Sequence, residues 1–209
     1  MKITGVYLAA GNSKRMGKDK LTLQIANKQI GIWALNEAII SNLNHIIIVT
    51  KCNHHLDFSG LSKDKLNCIE IANYEYGQSY SLKKGVEKAE NLESDAVLIF
   101  LADQPFITSE MLNILITTFN QNLNSSFIAS SNHGQIQPPI LISKNLFYEL
   151  KQIRGDQGAK SVIEKNREKG LLIPFDDKQL FIDIDEWSDY VYWKKLVEST
   201  VSKGSEDDS

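Results

Sequence analysis

Apolar positions along the chain follow two patterns. Residues 3–10, 46–50 and 96–102 are short apolar runs without alternation. Runs of this length and kind predict strands covered on both faces. Residues 66–72 form a further expected strand, and residues 52–65 between are polar and irregular. Other segments carry apolar residues at helical spacing. Ile32, Leu35, Ala38 and Ile39 predict a helix over 30–41. Leu82, Val86 and Ala89 predict a second helix, with Ser79 or Ser81 as its cap. Met111, Leu112, Leu115, Ile116 and Phe119 predict a third, capped by Ser109. Strand, helix and strand thus repeat through the first 130 residues or so, which predicts βαβ units around a mostly parallel sheet.

The rest of the chain is more mixed. Residues 127–130, 140–143, 171–175 and 181–184 are expected as strands, with Gly134 and Pro138-Pro139 between the first two. Residues 146–153, 159–169 and 187–201 are expected as helices. No repeat or linker divides the chain, so one domain is expected over 1–202, with a disordered acidic tail at 203–209.

A net charge of −3 offers no basic face for many phosphates, which disfavours nucleic acid as a partner. The N-terminal apolar run is too short to span a membrane and lacks a signal-peptide pattern. Two cysteines, Cys52 and Cys68, make neither a disulfide framework nor a metal knuckle, and suit a cytoplasmic protein. Adjacent His54 and His55 have no cysteine or carboxylate cluster beside them, and no functional role is expected of them.

Positive charge is concentrated instead in one place. The first apolar run stops at Gly11, and Lys14, Arg15, Lys18 and Lys20 follow within a loop that Gly17 punctuates. Glycine lets backbone approach a ligand closely, and successive N–H groups then form an anion-binding nest. The spacing is not Gly-x-x-x-x-Gly-Lys-Ser/Thr, because Gly11 to Gly17 is one residue too long and Asp19 follows Lys18. It is not Gly-x-Gly-x-x-Gly either, since Asn12-Ser13 replaces the second glycine. A second candidate is Asp103, directly after the 96–102 run. In an open α/β sheet, ligands sit at the carboxyl ends of strands, and a carboxylate there suits a hard cation.

The loop resembles the signature Leu-Ala-Ala-Gly-x-Ser-x-Arg-Met-Gly-x-x-Lys of the nucleotidyltransferases related to molybdenum cofactor cytidylyltransferase. Leu8, Ala9, Ala10, Gly11, Ser13, Arg15, Met16, Gly17 and Lys20 fill every fixed position. Four further blocks are similar to family segments: Leu101-Ala-Asp-Gln-Pro105, Tyr76-Gly-Gln-Ser-Tyr-Ser-Leu82, Gly155-Asp-Gln-Gly-Ala-Lys-Ser161 and Phe181-Ile-Asp-Ile-Asp-Glu186. Lys160 and Glu186 replace the family's Arg and Thr, and Gln137-Pro138-Pro139 stands where it has Gly-Asn-Pro beside the second substrate. The likeness runs from Val6 to about Tyr190.

The resemblance implies a Rossmann-like nucleotide-diphospho-sugar transferase fold, α/β, with helices on both faces of a mostly parallel central sheet. It implies Mg²⁺-dependent transfer of CMP from CTP to the terminal phosphate of the molybdenum-molybdopterin cofactor. The recipient would be a xanthine dehydrogenase-type apo-enzyme of purine catabolism. Arg15 would hold the β- and γ-phosphates, Lys20 would neutralise the α-phosphate, and Asp103 would hold the metal. Asp185 is the expected second metal ligand, with Asp183 as the other choice. Leu8, Ala10, Gly11, Asn12 and Ser13 would bind the nucleotide, and Gly77, Gln78 and Ser79 would lie beside its base. The Leu-Ala-Ala-Gly form points to CTP over GTP. A same-fold transferase acting on a sugar or alditol phosphate, or a non-catalytic cofactor chaperone, are the rival expectations.

Overall fold

The computed structural model describes residues 1–11, 16–72, 77–155 and 157–204, of 201–204 the backbone alone. Its elements are β1 (Ile3–Ala9), β2 (Gln24–Ile25), β3 (Lys28–Gln29), α1 (Ile30–Ile40), β4 (His45–Lys51), β5 (Leu66–Ile71), α2 (Gln78–Asn91) and β6 (Ala96–Leu101). There follow α3 (Ser109–Gln121), β7 (Phe127–Asn132), β8 (Gln135–Ser143), α4 (Phe147–Gln152), α5 (Lys160–Lys165), β9 (Gly170–Pro174) and α6 (Trp187–Gly204). None of these helices is long and apolar enough to cross a membrane.

Among the described residues, seven strands form one sheet in the order β5-β4-β1-β6-β8-β7-β9. β1 pairs in parallel with β4 and β6, and β4 with β5. β8 alone runs against its neighbours. The fold is therefore the expected α/β class with a mostly parallel sheet. The chain leaves β1 towards β4, then crosses back to β6 on β1's other side, so the sheet has its topological switch point between β1 and β6.

Alternation along β1 explains the two layers. Ile3, Tyr7 and Ala9 join the core beneath α1, α3 and α6. Val6, Leu8 and Ala10 join a second core with Leu82, Val86 and Ala89 of α2, Phe147 and Leu150 of α4, and Val162 and Ile163 of α5. Successive strand residues point to opposite faces, so one continuous apolar run supplies both cores.

Several boundaries differ from the pattern in the sequence. Thr108, not Ser109, caps α3: its hydroxyl accepts from the Met111 N–H at 3.2 Å. Neither Ser79 nor Ser81 caps α2. Both are buried inside it, and the helix starts from Gly77 at φ 84°, a backbone region that favours glycine. The expected helix over 159–169 stops at Asn166, whose amide donates to the Val162 carbonyl at 3.1 Å and to Glu149 at 2.8 Å. Residues 181–184 are not a strand. Asp177 caps a 3-10 turn, Lys178–Phe181, and Phe181 and Ile184 are then buried three residues apart. Pro138-Pro139 is not a connection but lies within β8, with a cis bond, where the register with β7 shifts. Prolines carry no N–H for the ladder, so this pairing is interrupted, and Ser130 Oγ contacts the Gln137 and Pro139 carbonyls at 2.7 and 2.8 Å. The small β2–β3 hairpin, turning through Ala26 and Asn27 at positive φ, was not expected. The backbone of α6 continues to Gly204, and residues 205–209 of the expected tail lie outside the described residues.

Gly85 brings α2 close to the sheet, because a Cβ there would run into Val6 Cγ1 and approach Val49. This closeness sets where the start of α2 sits over the ends of β1 and β4. Gly85→Val is expected to lower stability by about 1–3 kcal/mol, the usual scale for overpacking. Chemical denaturation checks this, and an unchanged midpoint counts against the close approach.

Candidate functional site

Three segments meet at the switch point. β1 ends in the loop that leads to Lys20, Asp103 follows two residues after the end of β6, and the stretch before α6 carries Asp183 and Asp185. Backbone bonds tie the segments together. The Ala102 N–H donates to the Leu8 carbonyl at 3.1 Å, and the Ile184 N–H to the Asp103 carbonyl at 2.9 Å. Ile184 is wholly buried and anchors the third segment in the core beneath α1 and α3.

Lys20 is the hub. Its Nζ donates to Asp103 Oδ2 at 2.8 Å and to Asp185 Oδ1 at 2.6 Å. Only 8% of the residue is exposed. Its backbone begins a 3-10 turn, Lys20–Thr22, capped by Asp19, which accepts from the Leu21 N–H. Asp19 in turn pairs with Lys51 at the end of β4, at 2.7 Å. Leu21 is buried against Gly31, whose carbonyl accepts from the Tyr7 hydroxyl at 2.9 Å. Burial works to lower the Lys20 pKa, but the charge and hydrogen bond of Asp103, then those of Asp185, hold the ammonium above its usual value. The phenol of fully buried Tyr7 is raised by burial and further by Asp103.

Asp183 stands apart from the Lys20 bridge. It keeps an exposed surface, yet desolvation of its carboxyl, then the charges of Asp103 and Asp185, push it up to about 6. The Gln104 side chain hydrogen-bonds to it and lowers it somewhat. Gln104 is 1% exposed, and its Oε1 has no partner among the described residues. The Asp189 carboxylate accepts from the Asp185 and Glu186 N–H groups at 3.1 and 2.8 Å, fixing the turn that presents Asp185.

The base-side candidates lie on the other face of β1. Leu8 and Ala10 are buried in the core that α2 shares. The Ser79 N–H donates to the Gly155 carbonyl at 3.1 Å. A Cβ on Gly158 would meet Gln78 Oε1 at 2.8 Å, so that glycine leaves the Gln78 amide its place. The start of α2 and the 155–161 segment are therefore one unit. A groove of about 380 Å³ beside them is lined by Tyr80, Lys83, Lys151 and Arg154. Gly11 has open space where a Cβ would project. Asn12, Ser13 and Arg15, three of the expected phosphate contacts, lie outside the described residues. His54 is engaged locally: its Nδ1 accepts from the Leu56 N–H at 3.2 Å, and Nε2 lies 3.8 Å from Glu70.

Residues 5–170 match the MobA-like NTP transferase domain. The chain belongs to that family, whose members transfer nucleotidyl groups. It is 33% identical to the purine catabolism protein PucB of Bacillus subtilis (strain 168), over 90% of this chain and 94% of that one. A probable molybdenum cofactor guanylyltransferase of Natranaerobius thermophilus is 25% identical over 72% of this chain and 71% of its own. A 2-C-methyl-D-erythritol 4-phosphate cytidylyltransferase of Dictyoglomus thermophilum is 29% identical over 61% of this chain and 56% of its own. Among solved structures, the manganese complex of Rv0371c from Mycobacterium tuberculosis H37Rv superposes with a TM-score of 0.77 at 19% identity, over 93% of this chain and 99% of that one. That likeness carries the α/β fold.

The site fits a divalent cation. Two carboxylates from separate segments converge on one positive charge, and with Asp183 the negative charges outnumber the Lys20 ammonium. No group of three or more His, Cys, Asp or Glu among the described residues is arranged to hold a metal alone. Mg²⁺ and its relatives commonly take only one or two protein carboxylates and fill the rest with water and phosphate oxygens.

The raised Asp183 carboxyl has a consequence for stability. Its folded pKa, about 6, lies above its ordinary value of 3.8, so the folded protein holds this proton more tightly than the unfolded chain. Stability is therefore lost as pH rises through that window. In EDTA, the stability of Asp183→Asn relative to the parent protein is expected to be greater at about pH 7.5 than at about pH 4.5. Urea denaturation at the two pH values checks it. A difference independent of pH would remove the charge crowding at Asp183.

Proposed function

We propose that this protein transfers CMP from CTP to the terminal phosphate of the molybdenum-molybdopterin cofactor and releases pyrophosphate, in maturation of a xanthine dehydrogenase-type enzyme. The observation that carries this reading is the convergence of Lys20, Asp103 and Asp185 at the switch point of a MobA-like transferase. The purine-catabolism relative supports the setting, since PucB is 33% identical along most of both chains.

The chemistry is an in-line displacement. An oxygen of the acceptor phosphate bonds to the α-phosphorus, and the bond to the β-phosphate bridging oxygen breaks. No covalent nucleophile on the protein is needed, so catalysis is positioning and charge neutralisation. Lys20 meets the charge that grows on the α-phosphate. Arg15 grips the β- and γ-phosphates with a fork that matches two oxygens. Backbone N–H groups from Gly11 to Ser13 orient the triphosphate. Asp103 and Asp185 would hold Mg²⁺, which when bound neutralises phosphate charge. Ala10, Gly77, Gln78 and Ser79 read the base from the α2 side.

One observation favours a second acceptor. The relative named for 2-C-methyl-D-erythritol 4-phosphate transfer is 29% identical over its matched segment. Pyrophosphate release from Mg-CTP with molybdenum-molybdopterin, against the same assay with alditol phosphates, separates the two. Release with neither acceptor, together with retention of bound cofactor, would leave a cofactor chaperone.

Lys20→Ala is expected to lower kcat about 10²–10³-fold, the scale for one electrostatic contact, and to lower it far more than it weakens CTP binding. Asp103→Asn keeps the shape and loses the charge, so turnover should nearly vanish while the thermal transition persists. Equal small changes in kcat and KM at Lys20 would take it off the catalytic machinery.

Base choice is expected to respond to Ala10→Gly, which opens the buried face of β1 towards α2. Use of GTP should rise relative to CTP, as read by pyrophosphate release and by the thermal shift each nucleotide gives. A fall in CTP use with GTP use unchanged would defeat this steric account.

A further inference from the structure

The ammonium of Lys20 stands where a cation held by Asp103 and Asp185 would have to stand. It lies 2.8 Å from one carboxylate oxygen and 2.6 Å from the other. A divalent ion held by Asp103 and Asp185 would compete with a like charge for the same carboxylates. Lys20 is not a drifting surface lysine. Its residue is 8% exposed, its turn is capped by Asp19, and Asp19 is tied to Lys51. The backbone is thus fixed, and the four-carbon stem is what can move. The group able to draw it away is another anion arriving at the end of β1, where the cationic loop of Lys14, Arg15 and Lys18 runs in sequence.

We propose that Lys20 serves as a resident counter-ion for the two carboxylates, so that the metal binds tightly only after a nucleotide triphosphate has drawn the ammonium onto its phosphates. This rests on Asp103 and Asp185 being the metal carboxylates. Two consequences follow from the geometry. In the nucleotide-free protein, Lys20 keeps the carboxylates at the spacing of a shared cation, so the site is assembled before the metal arrives. Nucleotide and metal also bind with positive coupling, and linkage makes that coupling equal in both directions. Lys20 is then a positioning residue for the metal as well as a contact to phosphate.

Mn²⁺ is the probe, with free ion followed by electron paramagnetic resonance on the intact protein. Without nucleotide, Lys20→Met is expected to bind Mn²⁺ at least about tenfold tighter than the parent protein, a factor equal to about 1.4 kcal/mol. Lys20→Arg keeps the charge and is expected to stay weak. Adding Asp103→Asn to Lys20→Met should abolish the gain. A non-hydrolysable CTP analogue should tighten Mn²⁺ binding more in the parent protein than in Lys20→Met. If Lys20→Met does not fold, Lys20→Gln removes the same charge and keeps a donor, and it carries the same expectation. Equal Mn²⁺ affinity in the parent and the charge-removed variant overturns the proposal, as does absence of Mn²⁺ binding in that variant. The measurement involves no turnover. Failure of pyrophosphate release with the Mn²⁺ pattern intact would reject the proposed reaction alone, whereas normal release with equal Mn²⁺ affinities would reject this inference alone.

Discussion

One ammonium ion joins the two halves of the site. Lys20 lies 83 residues from Asp103 and 165 from Asp185, yet it donates to both. Taking a lysine out of water is costly unless its charge is met and its protons are bonded. Two carboxylates meet that need here, and the surrounding chain is arranged to deliver them. The Ile184–Asp103 backbone bond sets one carboxylate beside the other, and Asp189 holds the turn that carries Asp185. The three aspartates outnumber the lysine, so the residual charge is negative. Burial first, and then that charge, raise the carboxyl of Asp183, which lies outside the Lys20 bridge.

The sheet explains why this happens at one edge. β1 and β6 are parallel neighbours, and the connections leaving them diverge. A crevice at their carboxyl ends is the geometric result of that divergence. The segment before α6 closes the crevice by crossing to Asp103 after the antiparallel β8 and the parallel β9 have completed the far side of the sheet. The position of the site is thus a property of strand order, and its chemistry comes from the side chains that the strand ends carry.

The parts legible in the sequence were those governed by local rules. The runs at 3–10, 46–50 and 96–102 have no polar alternation because both faces are covered, and they fall in β1, β4 and β6. Asp103 could be singled out because it ends the most apolar of them. Lys20 stood out through its signature. Its partnership with Asp185 was not legible, because it depends on the path of the chain through Phe181 and Ile184, where the 3-10 turn Lys178–Phe181 and an irregular stretch replace the expected strand. The Asp19–Lys51 tether was missed for a similar reason: it joins a polar loop residue to the last residue of β4, and both look solvated in sequence. Ser79 and Ser81 looked like caps by composition, but Gly77 supplies the turn through its backbone, and the serines are free to be buried.

The pleat of β1 divides labour between the two faces of the sheet. Odd positions, with Leu21, Ala102 and Ile184, pack in the core beneath α1, α3 and α6, on which the Lys20 bridge rests. Even positions, Leu8 and Ala10, pack beneath α2, beside the residues proposed to read the base. Adjacent positions therefore pack in different cores, and a change of side chain at Ala10 does not pass through the packing that holds Lys20. Such separation lets one face vary while the other keeps its charges. It fits a chain that is similar both to a protein named for guanylyl transfer and to one named for cytidylyl transfer. If phosphate chemistry and base reading shared one packed layer, each change of base would disturb the spacing of the carboxylates. With the sheet between them, the proposed base-side positions could vary while the charges at the strand ends stay in register.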